Sequence, residues 1–219
     1  MISSPRRIVM DFDGVFTRTD STAAWLMPRL RERPLLLSRS APWLAGFVLT
    51  SRAPAARTRV TRRLMDTAFS GQSADDLLAE LSDTGAAFAR DTSMTRSAAV
   101  DEARSLLAQG DEVTIVSAGM TPLIESWARA LDLPVRVCAS VVSGHRGRLR
   151  WDDHCFGERK VARLTALGWR EWDVVYSDSA HDLPLMRGAD SVVLVGGDDT
   201  LLRRLGRALP GTPVRAVSW

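Results

Sequence analysis

Two aspartates one residue apart, Asp11 and Asp13, follow a short apolar run at 7–10 and precede Gly14. If that run is a buried strand, both carboxylates leave its end toward one place. Gly14 then lets the chain turn sharply and a ligand approach the backbone. One carboxylate can attack phosphorus as a nucleophile. The other can protonate a leaving alcohol and later deprotonate an attacking water. The same residues also suit a solvated turn, and the pair alone does not decide between the two.

Three further places carry chemistry. Ser117 and Gly119 follow the apolar run 112–116, where a hydroxyl and a backbone N–H beside a glycine can hold a phosphoryl oxygen. A helix-capping serine is the structural alternative. Lys160 is the only lysine among 29 basic residues. Its compact ammonium does not do the work of a planar guanidinium, so one lysine in an arginine-rich chain invites a reason. Asp178 and Asp182 stand four residues apart after the run 173–176, with Ser179 between them. Carboxylates are hard oxygen ligands that suit Mg²⁺, and acids also favour a helix start.

These residues need a scaffold. The stretch 15–95 has helical signals and almost no strand signals, and Pro28, Pro34, Pro42 and Pro54 punctuate it into several helices. Ser73 before Asp76 and Leu77 reads as a helix start. After residue 97 helix and strand alternate. Helices are expected at 98–109, 121–131, 158–167, 181–187 and 200–208. Strands are expected at 112–116, 135–142, 173–176, 191–195 and 214–217. A hairpin turn at 143–147 leads into 148–151, and Asp152 and Asp153 read as turn residues. Alternation of this kind implies an α/β fold, a doubly wound and mainly parallel sheet with helices on both faces. Ligands of such sheets sit beyond the carboxyl ends of the strands. Asp11, Asp13, Ser117 and Asp178 all fall there.

Size and charge set limits. At 219 residues, 45% hydrophobic and 25% charged, the chain suits one domain with a sizeable insertion. Two cysteines make no disulfide framework and no CxxC pair is present, so a reducing, cytoplasmic setting is expected. The first residues lack the apolar stretch of a secretory signal. No window is long enough to span a membrane, and the most apolar one, 41–49, lies between Arg39 and Arg52. The segment 29–63 holds nine Arg and one acid, Glu32, for a formal charge of +8 that leaves −5 for the rest. That asymmetry suits an anionic substrate or an anionic membrane surface, met peripherally through Arg57, Arg59, Arg62 and Arg63 or through the apolar 43–49. A solvated helix face is the alternative. No recognition motif accompanies the charge, so nucleic acid is not expected.

The order of the motifs is more specific than any one of them. Strand–Asp11-Phe12-Asp13-Gly14-Val15, strand–Ser117, helix–Lys160 and strand–Asp178-Ser179 with Asp182 is similar to the motif series of the haloacid dehalogenase superfamily. The resemblance implies a Rossmann-like core, 1–14 and 97–219, with a helical cap of the C1 type, 15–96, inserted after the first strand. It implies that Asp11 is the nucleophile of a phosphatase and Asp13 the general acid/base. Ser117, Gly119 and Lys160 would bind phosphate. Asp11, the Asp13 carbonyl and Asp178 would hold Mg²⁺, supported by Asp182 and Ser179. The helical insertion and Ser117-Ala118-Gly119 resemble the phosphoserine-phosphatase-like branch. The run Cys155-Phe156-Gly157-Glu158-Arg159-Lys160 resembles its phosphatidylglycerophosphatase subgroup. Val15 departs from the usual threonine and leaves the substrate open, a small or lipid-linked phosphate ester.

Other classes share parts of this pattern. A receiver-like phospho-acceptor module also gathers aspartates, a hydroxyl and a lysine around Mg²⁺, but the large insertion after the first strand argues against it. A phosphotransferase of the same fold is a second alternative. Gly196-Gly197 lacks the dinucleotide spacing. His145, His154 and His181 match no zinc pattern, and His181 is expected at the pocket rim. The seven tryptophans are expected in the core or between cap and core.

Overall fold

The computed structural model describes residues 4–50 and 53–219. Arg52, which brackets the apolar 41–49, lies outside them. Strand β1 (Arg7–Met10) is followed by helices α1 (Ser21–Glu32), α2 (Pro34–Leu49), α3 (Pro54–Ala68), α4 (Ala74–Arg90) and α5 (Ser97–Ala108). Then come β2 (Glu112–Met120), α6 (Thr121–Ala130), β3 (Arg136–His145), β4 (Arg148–Asp153), α7 (Glu158–Ala166) and β5 (Trp172–Ser177). A 3₁₀ turn, Ala180–Asp182, leads into α8 (Leu183–Met186), β6 (Ala189–Val195), α9 (Asp199–Ala208) and β7 (Val214–Val217).

The seven strands form one sheet in the order β4-β3-β2-β1-β5-β6-β7. All pairs are parallel except β3–β4, which closes through the tight turn at Arg146 and Gly147, both at positive φ. That conformation matches the twist of a hairpin. β1 is central, and Ile8 pairs with Val113 on one side and Val174 on the other. Side-chain alternation divides the core between the two faces. Ile8 and Met10 join Tyr176, Val193 and the helices α1 to α6 in one cluster. Val9 joins Val116, Val175 and Leu194 with Leu164, Leu185 and Leu205 of α7, α8 and α9 in the other.

Several expectations are corrected in detail. Pro34 and Pro54 open helices, where a missing N–H costs nothing. Pro28 and Pro42 lie inside α1 and α2 instead of ending them. Both are exposed, so the carbonyls they leave unpaired can turn to water while Leu26, Leu30 and Leu36 hold the helices to the core. Asp152 and Asp153 belong to β4, not to a turn. Asp152 accepts from the Ser143 hydroxyl, and Asp153 pairs with Arg159 at 2.8 Å and Arg163 at 2.9 Å. β2 runs four residues beyond the expected 112–116, with a register shift between Val116 and Met120. Ser73 caps α4 as expected, accepting from Asp76 N. Both cysteines are free and buried.

The inserted helices are tied to one another and packed against α6. Arg29 of α1 is buried, crosses the Trp25 ring and pairs with Glu80 of α4 at 2.7 Å. Gly85 of α4 lies so near α6 that a Cβ there would stand 2.0 Å from the Leu123 carbonyl oxygen. An alanine in a helix ordinarily gains about 1 kcal/mol over glycine. Here the neighbour is backbone and cannot give way, so the clash outweighs the gain. Gly85→Ala should lower stability by about 1–3 kcal/mol in a denaturant titration; an unchanged midpoint would show that α4 and α6 can separate freely.

His154, after β4, is 8% exposed. It stacks on Phe156, meets Trp151 edge-on and lies 3.3 Å from the Thr58 hydroxyl of α3. Burial first, then Arg57, pushes its pKa down to about 4; Lys160 and Arg62 act the same way and Asp153 opposes them. A histidine held neutral when folded, but free to protonate when unfolded, lends stability above pH ~6.5. That contribution, on the order of 3 kcal/mol, drains away as pH falls toward 4. Subtracting the stability–pH curve of His154→Gln from that of the native chain should reveal this loss between those limits, and parallel curves would contradict it.

Candidate active site

Alternation along the β1 exit explains the site. Phe12 turns into the core, 5.0 Å from Trp127 in an edge-on contact, and so aims Asp11 and Asp13 away from it. Asp11 N donates to the Tyr176 carbonyl of β5, which fixes the start of the loop. Asp13 accepts from Ser21 N at 2.7 Å and from the Thr17 hydroxyl at 3.3 Å. The bare Gly14, at φ +78°, faces Asp178 so closely that a Cβ would fall 1.9 Å from its carboxylate oxygen. Only glycine lets the carboxylate of the β5 exit lie against the β1 exit.

Lys160 enters from the first turn of α7, just after Gly157 at positive φ. It is 3% exposed, and its Nζ lies 2.9 Å from Asp11 Oδ1 and 2.6 Å from Asp182 Oδ1. Asp182 also accepts from the Ser177 hydroxyl at 2.8 Å. Asp11, Asp13, Lys160, Asp178, Ser179 and Asp182 all line one pocket of about 260 Å³. Ser179 caps the 3₁₀ turn by accepting from His181 N. Ser117 and Gly119 do not line the pocket, although Ala118 between them does. Ser117 is fully buried and its hydroxyl accepts from Gly119 N at 2.9 Å.

The carboxyls differ sharply. Burial, then the charge of Asp182, raises Asp11 well above the ordinary carboxylate range, against the pull of Lys160. Burial acts on Asp182 too, but Lys160 and the Ser177 hydroxyl outweigh it and hold its pKa low. Burial, then Asp20, pushes Asp13 up to about 7. Burial and Asp182 also raise Asp178. Burial opposes the charge on Lys160, yet its two carboxylate partners raise its pKa above the ordinary lysine value.

Residues the sequence did not single out complete the wall. Arg18, Thr19, Asp20 and Phe156 line the pocket with Arg57 and His181. Asp20 caps α1, accepting from Ala23 N at 2.7 Å, and that capping pattern was available in the sequence. Arg57 lies over Phe47 of α2, its Cζ 4.0 Å from the ring centre. Of the other basic candidates, Arg62 donates to the Asp152 carbonyl, and Arg59 and Arg63 are exposed on α3.

The pocket carries five carboxylates against three fixed cations. A divalent cation would relieve that surplus. Among the described residues no three His, Cys, Asp or Glu side chains already surround a metal-sized point. The set fits Mg²⁺ all the same, because that ion binds through one or two carboxylates and completes its shell with water and substrate oxygens. Asp11 and Asp178, brought together across Gly14, are the pair available.

A protein-family model described as haloacid dehalogenase-like hydrolase matches residues 8–187. No curated protein matches the sequence. Among solved structures, a protein of unknown function from Bordetella pertussis Tohama I is 23% identical, with a TM-score of 0.65 over 96% of this chain and 98% of that one. A phosphoserine phosphohydrolase-like protein from Francisella tularensis is 13% identical, with a TM-score of 0.65 over 96% and 94%. A phospho-aspartyl intermediate analogue of phosphoserine phosphatase is 14% identical, with a TM-score of 0.58 over 97% and 93%. The likeness to these structures is one of fold. The family match spans most of the chain and includes Asp11, Asp13, Lys160, Asp178 and Asp182, and the chain therefore belongs to the haloacid dehalogenase-like hydrolase family.

Proposed function

We propose that the chain is a Mg²⁺-dependent phosphatase that hydrolyses a phosphate monoester through a phospho-aspartate on Asp11. The observation that carries this reading is Lys160 Nζ held between Asp11 and Asp182 at 2.9 and 2.6 Å, in a pocket shared with Asp13 and Asp178. In the same reading, 15–96 is the cap and 1–14 with 97–219 the catalytic core.

In the first step an Asp11 carboxylate oxygen attacks phosphorus in line and the ester P–O bond breaks. Asp13, with a pKa near 7, gives its proton to the leaving alkoxide. In the second step Asp13 takes a proton from water, whose oxygen attacks the phosphorus. The bond to Asp11 then breaks, returning its carboxylate and releasing phosphate. Lys160 steadies the phosphoryl oxygens as charge spreads over them. Asp182 and the Ser177 hydroxyl hold that ammonium in place. The Ser117 hydroxyl, fully buried, accepts from Gly119 N and so shapes the turn that brings Ala118 to the pocket wall. Mg²⁺, held by Asp11, the Asp13 carbonyl and Asp178, would supply positive charge at the same oxygens and favour the ionised form of Asp11. A phosphoserine phosphatase of similar fold has been captured as a phospho-aspartyl intermediate analogue, which supports the route.

Arg57 bears on the substrate. It lines the pocket, among the described residues no carboxylate pairs with it, and Phe47 supports it from beneath. A guanidinium so placed suits a second anionic group on the leaving alcohol.

Asp11→Asn should abolish turnover of a chromogenic phosphate ester. Chelator should silence the native chain and added Mg²⁺ restore it; substantial activity in either the variant or the chelated enzyme would exclude the mechanism. Arg57→Ala should raise KM by about tenfold or more for an ester bearing a second anion, the worth of one charged hydrogen bond. The chromogenic ester, which lacks that group, should be turned over nearly as before. Equal effects on both substrates would remove Arg57 from substrate recognition.

A further inference from the structure

The apolar stretch of α2 does not behave as one unit. Trp43, Leu44 and Phe47 turn inward, Trp43 and Leu44 against the main core and Phe47 beneath Arg57. Val48 and Leu49 turn out, at 72% and 83% exposure, and they share the outer side with Leu35, 82% exposed, and Leu37 on its edge. At 100° per residue, Ser38, Ala41 and Ala45 fall between them, all exposed and uncharged. A helix of sixteen residues thus presents a continuous apolar outer face. Isolated exposed leucines need no explanation, but a contiguous patch of this kind marks a docking surface.

What surrounds the face indicates what covers it. At its N-terminal end a hollow of about 430 Å³ is lined by Arg33, Arg39 and Arg148 together with Leu35, Leu36 and the Ser70-Gly71 turn. No acid lines it. Among the described residues none of the three arginines has a carboxylate partner, and Arg33 reaches only the Gln72 side-chain oxygen. Arg148 comes from the β3–β4 hairpin, whose turn is tied to α4 by Ala74 N donating to the Gly147 carbonyl. Two separate parts of the chain therefore bring guanidinium groups to one end of one apolar face. Arg31, Arg59 and Arg63 add exposed positive charge nearby in sequence.

We propose that the outer face of α2 and the Arg33/Arg39/Arg148 hollow form a docking site for an anionic membrane surface. The leucines and Val48 enter the headgroup–acyl boundary and the hollow takes a lipid phosphate. A second copy of the chain is the competing occupant, and the charge argues against it. Two identical faces set together would bring the Arg33, Arg39 and Arg148 guanidinium groups of each copy, which no acid in the hollow offsets, toward those of the other. An interfacial helix combines these two features, an apolar face and a cationic rim.

The test is co-sedimentation with vesicles of phosphatidylcholine alone and of phosphatidylcholine with phosphatidylglycerol. The native chain should bind only the second kind, and less as salt rises. Leu35→Glu with Leu49→Glu should abolish binding. Arg39→Gln with Arg148→Gln should weaken it roughly thirtyfold, at about 1 kcal/mol per arginine near an anionic surface. Unchanged thermal melts and unchanged turnover of a soluble ester would show that the variants fold and that their catalytic pocket is intact. Vesicle binding is scored independently of turnover, so it stands even if the chain proves inactive. Absence of binding to anionic vesicles, or equal binding to neutral ones, overturns the proposal. A concentration-dependent dimer that Leu35→Glu with Leu49→Glu converts to monomer, without vesicle binding by the native chain, assigns the face to a second copy instead.

Discussion

One buried ammonium holds the site together. Lys160 sits between Asp11 and Asp182 with almost no access to water, and burying any one of these charges alone would be strongly unfavourable. Together they are tolerable, and each fixes the other two. The three come from the exit of β1, the first turn of α7 and the 3₁₀ turn beyond β5, so their convergence depends on the central pairing of β1 with β5 and on the helices packed beneath. The arrangement is poised rather than fully neutral. Asp11 is pushed toward its protonated form while Asp182 stays ionised, an imbalance that added positive charge at the pocket would reverse.

The site joins two modes of construction. Its acids sit at strand exits, where a doubly wound sheet gathers polar groups. Part of its outer wall comes from the segment inserted between β1 and β2, through Arg18 and Asp20 ahead of α1 and Arg57 of α3. Phe47 of α2 supports Arg57, so the helix with the apolar outer face also underlies one side of the pocket. Charge is divided in the same way, acid at the sheet edge and arginine in the insertion.

Much of this was legible in the sequence because it rests on local rules. Strand alternation and the acidic pair before Gly14 placed Asp11 and Asp13. The lone lysine stood out against arginine, and proline and glycine marked most helix ends. What was not legible depends on tertiary contact. Pro28 and Pro42 read as breaks because their exposure could not be known. The extension of β2 through Ser117 to Met120 is set by its pairing with β3. Arg57 was one of several arginines until α2 supplied the ring beneath it. The hollow formed by Arg33, Arg39 and Arg148 could not be read at all, since more than a hundred residues separate the two segments that supply its arginines.

The solitary lysine has a practical corollary. Reagents that acylate amines meet no surface ε-amino group among the described residues, because Lys160 is buried at the pocket floor and engaged by two carboxylates. Acylation at that position would accordingly report the breaking of those two ion pairs, making ordinary amine chemistry a gauge of how often the pocket opens.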